Sequence, residues 1–193
     1  MPDVCAAAAR VAAPSMTSTR GGPMRTGLMR PRTPETTVVP IPSPVMSLLR
    51  AVARDGARIV PGTTGCGIAL MATDGRRITS AGSDHVAEHL TALHDQHPHN
   101  PCASGWAHRC VRRTQSSVTR AEWADWMTHA RQQGVRSVIT APLSVADRRL
   151  GTILLYSTTG DTFRHEHDEA LSAFADAIAI GIDRCQSGQS RTG

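Results

Sequence analysis

The sequence predicts an α+β fold in which helices flank a central antiparallel sheet. The main observation is the stretch at residues 134–156, where two apolar, β-branched runs are joined by a short polar connection at 144–149. This pattern is typical of an antiparallel hairpin. The second run, 150–156, is almost continuously apolar, which favours a central strand buried on both faces. Apolar residues at helical spacing before and after the hairpin predict the flanking helices.

Length and composition indicate one ordinary domain. The chain has 193 residues, of which 40% are hydrophobic and 3% aromatic, so aliphatic side chains must fill most of the core. No apolar run reaches the ~20 residues that span a bilayer. The five cysteines are odd in number and lack the spacing of a disulfide framework, which favours free thiols in a reducing compartment. We therefore expect a cytoplasmic protein without membrane contact.

Both ends of the chain are predicted to be tails around a folded segment at residues 45–184. Residues 1–44 are rich in Pro, Thr, Ser, Gly and Arg, a composition that cannot bury enough apolar surface to offset its ordering entropy. Residues 185–193 are expected to be a short, flexible second tail. The arginines of the first tail could attract nucleic acid, but no aromatic platform or reading helix supports such binding. We therefore expect no nucleic-acid partner.

The first half of the folded segment is predicted to contain a helix, a hairpin and a second helix. Apolar residues at i, i+3, i+4 and i+7 predict a first helix that starts at residue 45 and ends either near Gly56 or at Val60, before Pro61-Gly62. The runs at 67–71 and 77–82 flank an Asp-Gly pair, which is a strong hairpin signal. Ser83 or Asp84 is then placed to cap the second helix.

The second half is predicted to surround the main hairpin with three further helices. The first of them begins at a proline and spans 101–113, and a short strand follows at 117–119. The next helix carries an apolar face and ends at Gly134, where glycine suits the C-terminal cap. After the hairpin, a long helix over 165–184 completes the predicted domain.

Four segments resemble the GAF domain family, whose fold is related to that of PAS domains. NPCASGW resembles the start of the middle GAF helix, and GVRSVITAPL followed by RRLGTILLYSTTGDTF resembles the family's hallmark strands, including Gly151 and Phe163. VPGTTGCGIALMATDG resembles the opening strand of actinobacterial GAF proteins that often carry an ANTAR RNA-binding module. The resemblance covers about residues 45–183 and implies a GAF/PAS-like central antiparallel sheet flanked by helices.

The resemblance implies a sensory or regulatory module and not an enzyme. Such a module binds a small molecule or a protein partner in signal transduction or transcriptional regulation, and it commonly forms a homodimer through its first and last helices. No ANTAR segment follows the last helix, so the resemblance points to a separate output protein. The lysine-containing signature of cyclic-nucleotide-binding members is missing, because the chain has no lysine. The cofactor is therefore left unspecified.

Aromatic and polar residues near the expected pocket over the sheet are the candidates for ligand binding. Trp123 and Trp126 could stack on a planar ligand, although their i, i+3 spacing equally suits packing on the sheet. No nucleophile elbow or phosphate loop occurs in the sequence, so catalytic residues are not assigned. The candidate ligand-binding residues are Trp106, Trp123, Trp126, Met127, Thr140 and Tyr156.

A cysteine-dependent redox or metal-sensing protein, or a small-molecule reductase, is the alternative function. The segment HPHNPCASGWAHRC holds imidazoles and thiols, the ligands that transition metals prefer. Cys102 and Cys110 are expected on one face of the same helix, about 12 Å apart by the rise per residue, which is too far for a disulfide. The candidate residues are His97, His99, Cys102, His108, Cys110 and Cys66.

Overall fold

The architecture comes from a computed structural model, which describes residues 43–115 and 120–189. Residues 1–42, most of the predicted first tail, and the predicted strand at 117–119 lie outside the described residues. The helices are α1 (Ser43–Gly56), α2 (His85–Ala92), α3 (Pro101–His108), α4 (Ala124–Gln132) and α5 (His167–Gln189), with single 3-10 turns at Leu93–Asp95 and Ala121–Trp123. The strands are β1 (Gly65–Met71), β2 (Arg77–Gly82), β3 (Arg112–Gln115), β4 (Ser137–Val145) and β5 (Arg148–Ser157).

The strands form a five-stranded antiparallel sheet in the order β2-β1-β5-β4-β3. The central hairpin is confirmed, because β4 pairs with β5 in antiparallel register, with Ile139 opposite Leu155. β5 also pairs with β1, which makes β5 the central strand. Residues 150–157 of β5 are all buried, and this explains why the segment is almost continuously apolar, with Thr152 and Ser157 as its buried polar residues.

Helices cover both faces of the sheet. On one face, α1 and α5 pack on the strands and enclose a cluster that includes Leu49, Ile153 and Ala179. On the other face, α2, α3 and α4 enclose a second cluster that includes Trp126 and Leu154. The predicted α+β class is therefore confirmed as three layers with the sheet in the middle.

Several predicted start and stop signals are confirmed. Asp84 is the N-cap of α2, since its Oδ1 accepts a hydrogen bond from the Ala87 N–H at 2.9 Å. Gly75 in the β1–β2 turn has φ +86, and Gly134 after α4 has φ +80. Both glycines adopt the left-handed conformation that other residues rarely tolerate, so the sequence signals follow from backbone geometry.

The predicted helix over 101–113 is too long, and an unpredicted strand, β3, occupies the end of that range and the two residues after it. α3 ends at His108, because Arg109 adopts a left-handed conformation with φ 53, and its N–H bonds to the Gly105 carbonyl. The chain then turns and enters β3, where Arg113 lies opposite Ile139 of β4. The four residues of β3 are polar and lack the alternation that identifies a strand. Cys110 consequently lies beyond α3 and does not share a helix face with Cys102.

The last helix also differs from its prediction at both ends. α5 begins at His167 and continues to Gln189, five residues beyond the predicted end at Arg184. Its residues Leu171, Ala175 and Ile182 belong to the core, as their helical spacing predicts. Within the described ranges, neither α5 nor any other helix combines the length and apolarity needed to cross a membrane.

Candidate functional site

A cleft of about 700 Å³ opens on the side of the domain that carries α3. The β1–β2 turn, the α2–α3 connection, α3 and the 3-10 turn before α4 form its walls. This volume lies within the range of about 300–1,000 Å³ that is usual for small-molecule sites. The lining residues are Asp74, Gly75, Arg76, Arg77, His94, Asp95, Pro98, His99, Asn100, Ala103, Ser104, Trp106, Ala107, His108, Glu122 and Trp123.

Asn100 organises one wall of the cleft. It is the N-cap of α3, and its Oδ1 accepts a hydrogen bond from the Ala103 N–H at 2.9 Å. Its Nδ2 donates to the His97 carbonyl at 2.6 Å and to His94 Nδ1 at 3.3 Å. Because His94 Nδ1 accepts, its Nε2 carries the proton and donates to the Gly75 carbonyl at 3.0 Å. This chain of hydrogen bonds ties the β1–β2 turn to the start of α3.

Charged side chains form the rim of the cleft, and two pairs of them neutralise each other. Arg77 forms an ion pair with Asp95, and Arg76 Nε lies 2.8 Å from Asp74 Oδ2. The side-chain hydrogen bond from Arg76 lowers the pKa of Asp74. Solvent screening and side-chain entropy leave exposed pairs of this kind with little net effect on stability. Their effect is therefore to arrange charge at the rim more than to hold the fold.

Trp106 contributes an indole ring to the cleft. The residue is only 9% exposed, and a Cβ placed on Gly75 would lie 3.1 Å from its Cζ3 atom. The Arg149 guanidinium lies over the ring, 4.0 Å from the centroid, which is a cation–π arrangement. The indole Nε1 is buried without a hydrogen-bond partner among the described residues. One face of the indole is therefore already covered by Arg149.

The structure divides the six candidate ligand-binding residues between two places. Trp106 and Trp123 line the cleft. Trp126 and Met127 of α4 and Tyr156 of β5 are instead packed in the core between the sheet and the helices. The fully buried Thr140 hydroxyl donates to the Pro101 carbonyl at 3.2 Å and anchors α3 to β4.

The space between the sheet and α2–α3 is closed. A second void there is lined by Gly67, Thr91, Cys102, Thr152 and Leu154 among others, and it holds only about 10 Å³. That is the space of about one water molecule. This space therefore has no room for a ligand larger than water.

The residues of the metal or redox alternative are dispersed over the domain. Cys66 packs against the α1–α5 face of the sheet, whereas Cys102 belongs to the cluster on the opposite face. His99 and His108 line the cleft, but His97 lies beside His129 of α4. Across residues 43–115 and 120–189, no group of three or more His, Cys, Asp or Glu side chains could hold a metal ion.

Burial makes two of the cysteine thiols unreactive. It raises the pKa of Cys66 and that of Cys102 to about 12 each. The thiolate is the form that attacks electrophiles and binds metals. At neutral pH both side chains are therefore protonated and behave as small apolar groups.

Alkylation with iodoacetamide at pH 8 should distinguish buried from accessible thiols. We expect Cys66 and Cys102 to react more than about tenfold more slowly than the half-buried Cys110 and Cys185, because the reaction requires an accessible thiolate. Mass spectrometry of peptides after timed quenching measures the rates, and the same reaction in urea is the control in which all cysteines react. Rapid native modification of Cys66 or Cys102 would contradict the burial and revive the redox alternative.

Sequence reasoning missed the charged rim of the cleft. Two signals could have identified it, namely the pair of arginines that follows the Asp-Gly turn and the polar run HDQHPHN between α2 and α3. The two segments are distant in sequence, and the structure shows that they adjoin through the Arg77–Asp95 ion pair and the His94–Gly75 hydrogen bond. The missed residues are Asp74, Arg76, Arg77, Asp95 and Glu122.

Comparison with protein families and solved structures identifies the fold. A model of the GAF domain family matches residues 43–183, whereas no curated protein matches the chain. The second GAF domain of DevS from Mycobacterium smegmatis is similar, with 18% identity and a TM-score of 0.55 over 77% of this chain and 99% of that domain.

Two further solved structures share the fold but differ in function from each other. A phycoerythrobilin-bound GAF domain from a cyanobacterial phytochrome is 14% identical, with a TM-score of 0.52 over 75% of this chain and 88% of that one. A type II free methionine-R-sulfoxide reductase from Thermoplasma acidophilum is 14% identical, with a TM-score of 0.51 over 72% of this chain and 92% of that one. At identities this low, the likeness shows the fold alone.

Proposed function

Because this chain belongs to the GAF domain family, we propose that it is a non-enzymatic sensory or regulatory module whose cleft beside α3 binds a small molecule. The observation that carries the proposal is the cleft itself, which has the volume of a ligand site and a framework of hydrogen bonds around Asn100. A preorganised wall favours binding because less conformational freedom is lost when the ligand arrives.

The lining of the cleft suggests the chemistry of the ligand. Trp106 and Trp123 line the cleft, and although they are only 9% and 2% exposed, their contact of small area suits a planar or apolar part. Arg76, His99 and His108 offer hydrogen-bond donors or acceptors at the exposed side. A polar small molecule with a planar portion fits this combination best.

A solved relative supports ligand binding by this fold. The similar GAF domain from a cyanobacterial phytochrome is bound to phycoerythrobilin. The cysteine-dependent alternative rests on the fold-level likeness to a free methionine-R-sulfoxide reductase and on cysteines that lie on opposite faces of the sheet. Small-molecule binding is therefore the better-supported function.

The finer proposals concern the subtype and the partners of the domain. The segment that forms β1 resembles actinobacterial ANTAR-associated GAF proteins, which supports a role in transcriptional regulation through a separate output protein. A homodimer through α1 and α5 is proposed on the family resemblance, and Ile180 of α5, which is 45% exposed, is a large apolar side chain available to such an interface. Sedimentation of the purified chain with and without its co-purified compound tests the dimer and its response to ligand.

Filling the cleft with a large side chain tests the proposed function. Ala107 is exposed on α3 and lines the cleft, so Ala107→Trp should occupy the site without disturbing the core. We expect a compound to co-purify with the native chain. The amount of compound retained per chain should be more than about tenfold lower in this variant, which corresponds to a loss of 1.4 kcal/mol or more in binding free energy. Gentle purification followed by extraction and mass spectrometry gives the measurement.

The matched control is Ala170→Trp, which adds the same side chain at an exposed position of α5 on the other side of the sheet. This control should retain the compound at the native level. Equal retention by Ala107→Trp would show that binding occurs outside the cleft. If the native chain retained nothing, and if cell extract did not raise its melting temperature, the small-molecule proposal would be wrong.

A further inference from the structure

Two histidines from different elements meet beside the cleft. His97 lies in the connection between α2 and α3, and His129 lies on α4. Their ring centroids are 4.6 Å apart, and the ring planes are tilted by 45°. Both residues are half-buried, so each ring is held by its surroundings while remaining within reach of solvent.

The tautomer of His129 is set by its own helix. Its Nδ1 lies 2.9 Å from the Asp125 carbonyl one turn earlier, and a carbonyl can only accept, so Nδ1 carries the proton. Nε2 is therefore left with a free lone pair. A histidine that donates its other ring N–H to a carbonyl is the usual orientation of a metal ligand.

His97 is held in place through its backbone. Its carbonyl accepts the Asn100 Nδ2 hydrogen bond at 2.6 Å, and Asn100 is itself almost completely buried. No hydrogen bond to the His97 ring nitrogens is present in the described part of the chain. The ring is thus positioned by the framework of the cleft wall, and both of its nitrogens remain available.

The separation of the two rings matches that of two imidazoles on one metal ion. A metal–nitrogen bond is about 2.1 Å long, and the centroid of an imidazole ring lies about 1.1 Å behind its nitrogen. Two imidazoles that make a nitrogen–metal–nitrogen angle of 90° therefore have ring centroids about 4.5 Å apart, and at the tetrahedral angle the centroids are about 5.2 Å apart. The observed 4.6 Å is close to the value for neighbouring positions of an octahedral or square-planar ion.

We propose that His97 and His129 form a two-histidine site for a divalent transition metal such as Zn²⁺, Ni²⁺ or Cu²⁺. Water or a small anion completes the coordination, which agrees with the absence of a larger ligand group among the described residues. The bound ion links the α2–α3 connection to α4. Because Pro98, His99 and Asn100 line the cleft, the metal stabilises one wall of the small-molecule site without belonging to it.

Calorimetric titration with ZnCl₂ and NiCl₂ tests the site on the full chain, produced without a polyhistidine tag and freed of metal with EDTA. We expect one ion per chain, and binding at least about tenfold weaker in both His97→Gln and His129→Gln, because each variant removes one of two ligands. The matched control is His99→Gln, which removes an exposed histidine of the same segment and should bind like the native chain.

The outcomes separate the site from adventitious binding. Equal metal affinity in both glutamine variants, or loss of binding in His99→Gln alone, would overturn the assignment, as would the absence of binding by the native chain at 1 mM metal. Thermal unfolding without metal is measured for every variant, so that lost binding is not confused with lost folding. If one variant fails to fold, the other still removes a ligand and decides the question.

Discussion

Gly151→Ala should cost the domain more than about 4 kcal/mol of unfolding free energy and leave little folded protein. Gly151 lies in the central strand, opposite Leu70 of β1 and Leu143 of β4. A Cβ at this position would lie 2.0 Å from the Ala69 carbonyl oxygen and 3.0 Å from the Leu70 Cα. These are backbone atoms of a paired strand, so they cannot move aside without breaking the β1–β5 ladder. Even a methyl group is therefore too large.

Gly134→Ala is the matched control for this substitution. Gly134 has φ +80, but a Cβ there would meet no atom within 4 Å. In Gly134→Ala, the left-handed backbone conformation alone should lower the unfolding free energy by about 1–2 kcal/mol. Urea unfolding followed by circular dichroism measures both variants. If Gly151→Ala lowered the unfolding free energy no more than Gly134→Ala does, β1 and β5 would not be packed as described.

Trp126→Ala should lower the unfolding free energy by about 3–5 kcal/mol. The side chain is 1% exposed and belongs to the cluster between α4 and the sheet, together with Met127, Val138 and Leu154. Removing it leaves a cavity that the backbone of the sheet cannot collapse to fill. A residue that served only to stack on a ligand would instead affect binding and leave stability nearly unchanged.

Ile78→Ala provides the comparison for the tryptophan variant. Ile78 is a large apolar residue of β2 that is 54% exposed, so its truncation should change stability by less than about 0.5 kcal/mol. Denaturant titrations of both variants and the native chain give the difference. If Trp126→Ala lowered the unfolding free energy no more than Ile78→Ala does, α4 would not pack on the sheet through this residue. The interpretation that Trp126 stacks on a ligand would then regain support.

Some parts of the candidate site could be predicted from local sequence. Turn chemistry predicts the Asp-Gly turn, and capping predicts the Asn-Pro start of α3. Residue type predicts the two lining tryptophans, Trp106 and Trp123. The closure of the space over the sheet could not be predicted, because it depends on how Thr91 of α2 and Cys102 of α3 pack against strands from distant parts of the chain. The i, i+3 spacing of Trp123 and Trp126 also did not show which of them lines the cleft and which is packed in the core.

The central β4–β5 hairpin, the β1–β2 hairpin, the α+β class and the starts of α2 and α3 were determined by the sequence alone. The reason is that continuous apolar runs, helical spacing and glycine at left-handed positions act over a few residues. Only the tertiary structure decided that the cleft lies on the exposed side of α3, that β3 is the polar segment 112–115, and that His97 meets His129. These features depend on contacts between residues far apart in the chain, and no local pattern records such contacts.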